Sequence, residues 1–264
     1  AGGGSDEVAE VRRAFGRMRG SLQETQRRLL DAERLATIGR MASSISHDLR
    51  HSLAAIMANA EFLSANNRSI AEREELYNEV RAGVNQMTEL LDSLLEFSRS
   101  RESLRRSQAS LEETVQRAVQ AVRANPGFHN IDIKVICHGN SEGMFEPKKL
   151  ERAFQNLVRN ACEALPAQGG KIEITLRETG SGFEVRVADN GHGIPEAIRG
   201  QIFEPFVSQG KENGTGLGLT IVQKIVQDHG GDVQVEQTSQ QGSTFVVFLP
   251  RTTEAQAATR EAWV

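Results

Sequence analysis

From residue 6 to about residue 66 the chain has no proline and few glycines, and apolar residues return at a fixed interval. Val8, Phe15, Leu22, Leu29 and Ala36 recur every seven residues, with Val11, Met18, Thr25 and Ala32 filling the position between. Such a repeat, held over more than three heptads, predicts one long helix that presents a seam to a partner helix. The stripe continues through Ile38, Ala42, Ile45, Leu49, Leu53, Ile56, Ala60 and Leu63, and stops at the polar turn Ser64–Ser69. A second helix is expected from about Ala71 to Ser100, with its stripe at Leu76, Val80, Val84, Met87, Leu91 and Leu94. Two such helices form a hairpin that cannot bury both stripes alone, whereas two copies closing a four-helix bundle can.

The pattern then changes. Ser100–Ser110 reads as a polar, arginine-rich linker, and Leu111–Ala124 as a helix. Ile131–Cys137 alternates and is β-branched, so it reads as a strand. Pro147 suits the first turn of a helix running to about Leu165. Lys171–Glu178 and Phe183–Ala188 read as strands joined by a Gly-Ser-Gly turn. Thr215–His229 reads as a helix ended by Gly230-Gly231, and Asp232–Gln237 with Thr244–Leu249 as a last hairpin. These elements predict an α+β two-layer sandwich with helices on one sheet face. The expected organisation is an N-terminal coiled-coil segment over 1–30, an all-α hairpin over 31–106, the sandwich over 107–251 and a fraying polar tail over 252–264.

Composition narrows the picture only slightly. With 264 residues, 38% hydrophobic and 25% charged, the chain is globular, and a net charge of −4 without Lys/Arg runs speaks against nucleic acid or a membrane surface as partner. Cys137 and Cys162 lie in apolar stretches without metal-ligand spacing and read as reduced core residues. No apolar run reaches the ~18 residues of a membrane span and no secretory leader is evident, so a cytoplasmic location is expected. Ala1–Ser5, Ala-Gly-Gly-Gly-Ser, reads as a cloning scar.

Chemistry enters with three elements of the second region. Asn156 and Asn160 lie four apart on a helix, so both amides share a face. Amide oxygens are hard ligands that suit Mg²⁺, although spacing alone fits two ordinary surface asparagines better. Asp189-Asn190-Gly191-His192-Gly193 follows a strand, where a carboxylate can accept from an adenine amine, or an ordinary turn can form. Gly214-Thr215-Gly216-Leu217-Gly218-Leu219 opens a helix and offers backbone amides to an anion. It lacks the lysine of a P-loop and the acidic residue of a dinucleotide fingerprint.

The order of these elements, with Phe203-Glu204-Pro205-Phe206 before the glycine turn, resembles the Bergerat-type ATPase domain of histidine kinases. The resemblance implies ATP, with Asn156 holding Mg²⁺ and Asn160 near the phosphates. It implies Asp189 on the adenine amine, with Gly191 and Gly193 shaping that end and Thr244 beside it. Gly214, Gly216 and Gly218 would line the phosphates, and residues 200–214 would form a lid hinged by Phe203 and Phe206. Lys211 could reach the γ-phosphate, one residue later than the lysine of relatives whose loop ends Thr-Thr-Lys. Glu163 stands where many relatives carry a basic residue. Upstream, Ser46-His47-Asp48-Leu49-Arg50-His51-Ser52-Leu53 alone reads as an exposed helix histidine. Ahead of a Bergerat domain it resembles the family's phosphoacceptor box, which makes His47 the acceptor and Asp48 its base or orienter. His51 and Ser52 depart from the family's Asn/Thr and Pro, which removes an expected helix kink and the residue that often supports phosphatase activity. His47 and His51 could share a metal, but no third ligand is evident. Residues 6–18 resemble the last helix of a HAMP domain, or equally a plain coiled coil, and a HAMP origin would place the chain in a membrane-anchored receptor. The family implies a homodimer and a response-regulator receiver domain as phosphoryl acceptor. The competing readings are an ATP-gated machine of the same ATPase fold, which lacks a His-Asp helix, and a degenerate scaffold without activity.

Overall fold

The computed structural model describes residues 3–64, 69–98, 104–128, 130–166, 168–207 and 216–251. They fall into two compact units, residues 1–100 and 101–264.

The first unit is a helical hairpin. Helix α1 spans Gly3–Ser64 and α2 spans Ile70–Ser98. Ser69 starts α2 with a reciprocal capping box: Glu72 Oε2 accepts from Ser69 N at 2.7 Å, and Ser69 Oγ from Glu72 N at 3.3 Å. The helices approach closely where Gly83 faces Ile56; a Cβ there would stand 2.8 Å from Ile56 Cγ1. Asn59 Nδ2 donates to Glu79 Oε2 across the pair at 2.7 Å. Ile45, Leu49, Ile56, Leu63, Leu76, Val80, Met87 and Leu94 are half-buried in this pairing, and Leu90, which the stripe omitted, is buried. The heptad residues nearer the N-terminus are not covered: Phe15, Met18, Leu22 and Leu29 are 65–69% exposed.

The second unit is the sandwich. Its sheet runs β2(Asp132–His138), β4(Lys171–Thr179), β5(Gly182–Asp189), β7(Gly242–Pro250), β6(Asp232–Ser239). The β2–β4 pair is parallel and the others antiparallel. Helices α3(Leu111–Arg123), α4(Pro147–Ala164) and α5(Gly218–Asp228) lie side by side on the sheet, with α4 in the middle. Alternate strand residues meet them: Ile172, Ile174 and Leu176 on β4, Phe183, Val185 and Val187 on β5, and Val247 and Leu249 on β7 are almost fully buried. From above, Leu150, Phe154, Leu157 and Val158 of α4 and Ile221, Val222 and Ile225 of α5 close the core.

The structure differs from the pattern-based expectation at four places. The linker does not stay irregular: Ser107–Ser110 forms strand β1, antiparallel to β3(Glu142–Phe145). Neither segment alternates, so the pattern does not reveal the pair; its last residue, Ser110, also caps α3, its Oγ accepting from Glu113 N at 3.2 Å. The unit boundary falls at residues 100/101 rather than 106/107, because Arg105 N donates to Glu146 and Arg106 to the Asp228 carbonyl. Helix α5 begins at Gly218 rather than Thr215, a residue outside the described ones. Both cysteines are free; Cys162 is buried, but Cys137 is only half-buried, since it sits on the edge strand β2.

Candidate active site

Asp189 ends β5, and the sheet register brings it beside the β6–β7 turn. Its Oδ1 accepts from Gly191 N at 2.8 Å and from Ser243 N at 3.2 Å. Burial pushes its carboxyl above the usual value, against the pull of those two amides. Among the described residues Oδ2 accepts nothing, so one oxygen is fixed and the other remains to receive a donor. Next, Thr238 Oγ1 accepts from Ile194 N at 2.8 Å and lies 3.0 Å from Ser243 Oγ, which ties the Asp189–Ile194 loop to the hairpin. Gly193 (φ 75°) is required here, because a Cβ would strike the Ser239 carbonyl.

Strand alternation separates Ser243 from Thr244. Ser243 is buried and touches Asp189, whereas Thr244 pairs with Ala188 and faces the other side of the sheet. Ser243, itself held by Thr238, therefore borders Asp189, and neither residue is singled out by the sequence. The period-two rule applied to Gly242-Ser243-Thr244 would have found Ser243.

The other end of the site joins α4 to α5. Asn156 is 7% exposed, and its Oδ1 accepts from Arg159 Nη2 at 2.8 Å. Asn160 lies one turn on and is half-buried. A Cβ at Gly218 would stand 3.7 Å from Asn156 Oδ1, so the glycine turn and the asparagine face do meet. The cap residue of α5 is Leu217, which has no side-chain acceptor to give its first amides. Phe206 adopts φ 65°, a conformation costing a bulky residue about 1–3 kcal/mol, and donates its N–H to the Gly216 carbonyl at 3.0 Å. That bond fastens Phe206 to Gly216. A side chain at Gly216 (φ 65°) would collide with the Phe206 backbone. Lys211 and Gly214 lie outside the described residues, as does the turn over 65–68.

In the helical unit His47 is exposed on α1. Its ring lies 6.3 Å from that of His51, at 22° between planes. The Asp48 side chain is outside the described set. Among the described residues no group of three or more His, Cys, Asp or Glu could hold a metal, and no helix is long and apolar enough to cross a membrane.

A sheet layered with helices, a half-fixed aspartate and a glycine turn beside paired asparagines define a nucleotide-binding ATPase domain, coupled here to a histidine-bearing hairpin. Comparison with known proteins agrees with that class. Residues 145–253 match the histidine kinase-, DNA gyrase B-, and HSP90-like ATPase family, and residues 37–103 match the His Kinase A (phospho-acceptor) domain. The chain is 33% identical to the signal transduction histidine-protein kinase AtoS of Escherichia coli K12, over 86% of this chain and 37% of AtoS. It is 30% identical to the catalytic domain of histidine kinase ThkA, covering 56% of this chain and 96% of that domain at a TM-score of 0.50. The complex of ThkA with its response regulator TrrA shares the fold over 84% of this chain and 64% of the ThkA chain, with a TM-score of 0.68 and 24% identity. The chain belongs to the sensor histidine kinases of two-component systems. It spans 37% to 51% of the length of the curated relatives it matches.

Proposed function

We propose that this chain transfers the γ-phosphoryl group of ATP to His47 and then to an aspartate on a response-regulator receiver domain. The observation that carries the reading is one chain holding both an exposed histidine in a phosphoacceptor-type helix and a pocket whose Asp189 keeps one carboxylate oxygen for a donor.

Each group has a task that follows from its surroundings. Asp189 Oδ2 accepts from the adenine amine, while Gly191 and Ser243 hold the carboxylate in place. Gly193 keeps the loop low enough for a flat ring to lie beside it. The amides of the Gly214–Gly218 turn and the first turn of α5 receive phosphate oxygens, where the helix dipole adds about 0.3–1 kcal/mol per charge. Thr244, on the opposite sheet face, has at most an indirect part at the adenine end. Lys211 is retained as a γ-phosphate contact. The amide donor set also fits Mg²⁺: Asn156 would hold it with Asn160 alongside, since an amide oxygen has two lone pairs and Arg159 uses one. When bound, the ion supplies charge neutralisation on the phosphates. His47 attacks in line through an unprotonated Nε2; the N–P bond forms as the bond from phosphorus to the ADP oxygen breaks. Asp48 orients the imidazole or takes its proton.

The exposed Phe15, Met18, Leu22 and Leu29 support a homodimer in which two hairpins close a four-helix bundle, continued N-terminally as a coiled coil. The response regulator enters from the family and from the ThkA complex, which contains one. The HAMP-like stretch 6–18 precedes the matched segments and fits a position behind a membrane anchor in a longer receptor.

The decisive experiment incubates the protein with γ-³²P-ATP and Mg²⁺. Acid-labile, alkali-stable label is expected on the wild type and absent from His47→Gln, which still binds ATP. Label persisting on that variant would remove His47 as acceptor.

A further inference from the structure

We infer that Arg159 is a phosphate-binding residue of the nucleotide pocket, released for that task from an ion pair with Glu163. The inference rests on the reading of that pocket as an ATP site, and it adds a guanidinium to the amides of Asn156, Asn160 and the first turn of α5.

Arg159 lies on α4 between Asn156 and Asn160, one turn before Glu163. Its Nη2 donates to Asn156 Oδ1 at 2.8 Å, and its Nε stands 3.8 Å from Glu163 Oε1. The first is a full hydrogen bond. The second is a loose pair, with the two side chains 31% and 33% exposed. A Cβ at Gly218 would stand 3.9 Å from Arg159 Nη2, which puts the guanidinium at the first residue of α5.

That placement is electrostatically unfavourable as it stands. The N-terminus of a helix carries roughly half a positive charge, so a cation belongs at the other end. Leu217 supplies no side-chain carboxylate or hydroxyl to soften the encounter. A guanidinium and a helix N-terminus aimed at one place become complementary once an anion lies between them. Arg159 also has five donors in a planar fork, a shape that fits phosphate oxygens two at a time. Glu163 offsets part of the charge before the phosphates arrive, and its weak hold can be given up to them.

A role limited to orienting Asn156 makes a different prediction, because the amide would matter through the metal. Binding of ATP and of adenosine is therefore measured by calorimetry on the full chain, each with Mg²⁺ and with EDTA. Arg159→Ala should weaken ATP roughly ten- to hundredfold in both conditions and leave adenosine unchanged. Arg159→Lys should recover part of the loss, and Glu163→Gln should tighten ATP by up to about fivefold. A loss confined to the Mg²⁺ condition, or an equal loss for adenosine, overturns the inference. So does ATP binding by Arg159→Ala as tight as wild type. A wild type that binds neither ATP nor adenosine would instead bring down the ATP-site reading itself.

Discussion

In the sandwich, every helix with an apolar stripe has a sheet to lie on; in the hairpin, much of the stripe is exposed among the described residues. Phe154 of α4 is 1% exposed and Val158 is fully buried, while Phe15 and Leu22 of α1 are 67% exposed. Both sets are strongly periodic in sequence, so periodicity alone does not say how a face is covered. The catalytic unit is complete as one chain, because three helices and five strands supply both layers of a core. The hairpin has one layer, and its exposed stripe fits the second copy proposed above. This contrast fits a kinase whose nucleotide domain works alone and whose phosphoacceptor helix works in a pair.

The contrast can be broken first at the core. Phe154→Ala should destabilise the catalytic unit by about 3–5 kcal/mol, through lost transfer energy and the cavity left between α4 and the sheet. Chemical denaturation of residues 101–264 measures it, and a cost below about 1 kcal/mol would mean that this core is not closed.

The next effect is smaller and depends on pH. His229 is 3% exposed; Ile225 O lies 2.7 Å from its Nδ1, and Glu146 N donates to its Nε2 at 3.1 Å. It thus ties the start of α4 to the end of α5 as a neutral ring. Burial lowers its pKa from 6.5 to about 4, and the charges of Arg106 and Lys149 act in the same direction. The unfolded chain takes up a proton near pH 6.5 that the native chain refuses until about pH 4. Stability of the catalytic unit is therefore full above pH 6.5 and falls between 6.5 and about 4, by an amount on the order of 3 kcal/mol. Urea midpoints across that range should show the fall, and His229→Gln should flatten it.

The smallest effect on the single chain falls on the seam. Leu22→Ala removes an exposed side chain, so the catalytic unit should unfold unchanged, with a shift within about 0.5 kcal/mol. Self-association, followed by sedimentation, should weaken by roughly tenfold or more, since each copy loses apolar area from the coiled-coil seam proposed above. Unchanged association would place the dimer contact elsewhere on the hairpin.

Much of this was legible in the chain. The heptads gave α1, and Pro147 and the glycine pair at 230–231 bounded α4 and α5 to within a few residues. The strand pairs on either side of Gly180-Ser181-Gly182 also emerged from alternation. The capping box Ser69–Glu72 was there to be read and would have started α2 at Ile70. Asp189, Gly216 and Gly218 are legible as residue types with a chemistry to offer, and their roles stand as proposed above. What escaped were partners chosen by tertiary register: Ser243 and Thr238 around Asp189, Arg159 on Asn156, and His229 beneath α4.

By itself the sequence determined the local elements of this protein and the residue types that reach its chemistry, because helix and strand periods, caps and glycine turns act over a few residues. Only the tertiary structure decided which of those groups meet. The β5–β7 register sets Asp189 against Ser243 rather than Thr244, and the packing of α4 beside α5 brings Asn156 and Arg159 to Gly218. Such contacts join residues tens of positions apart, where burial of a shared core, and no local preference, fixes the distance.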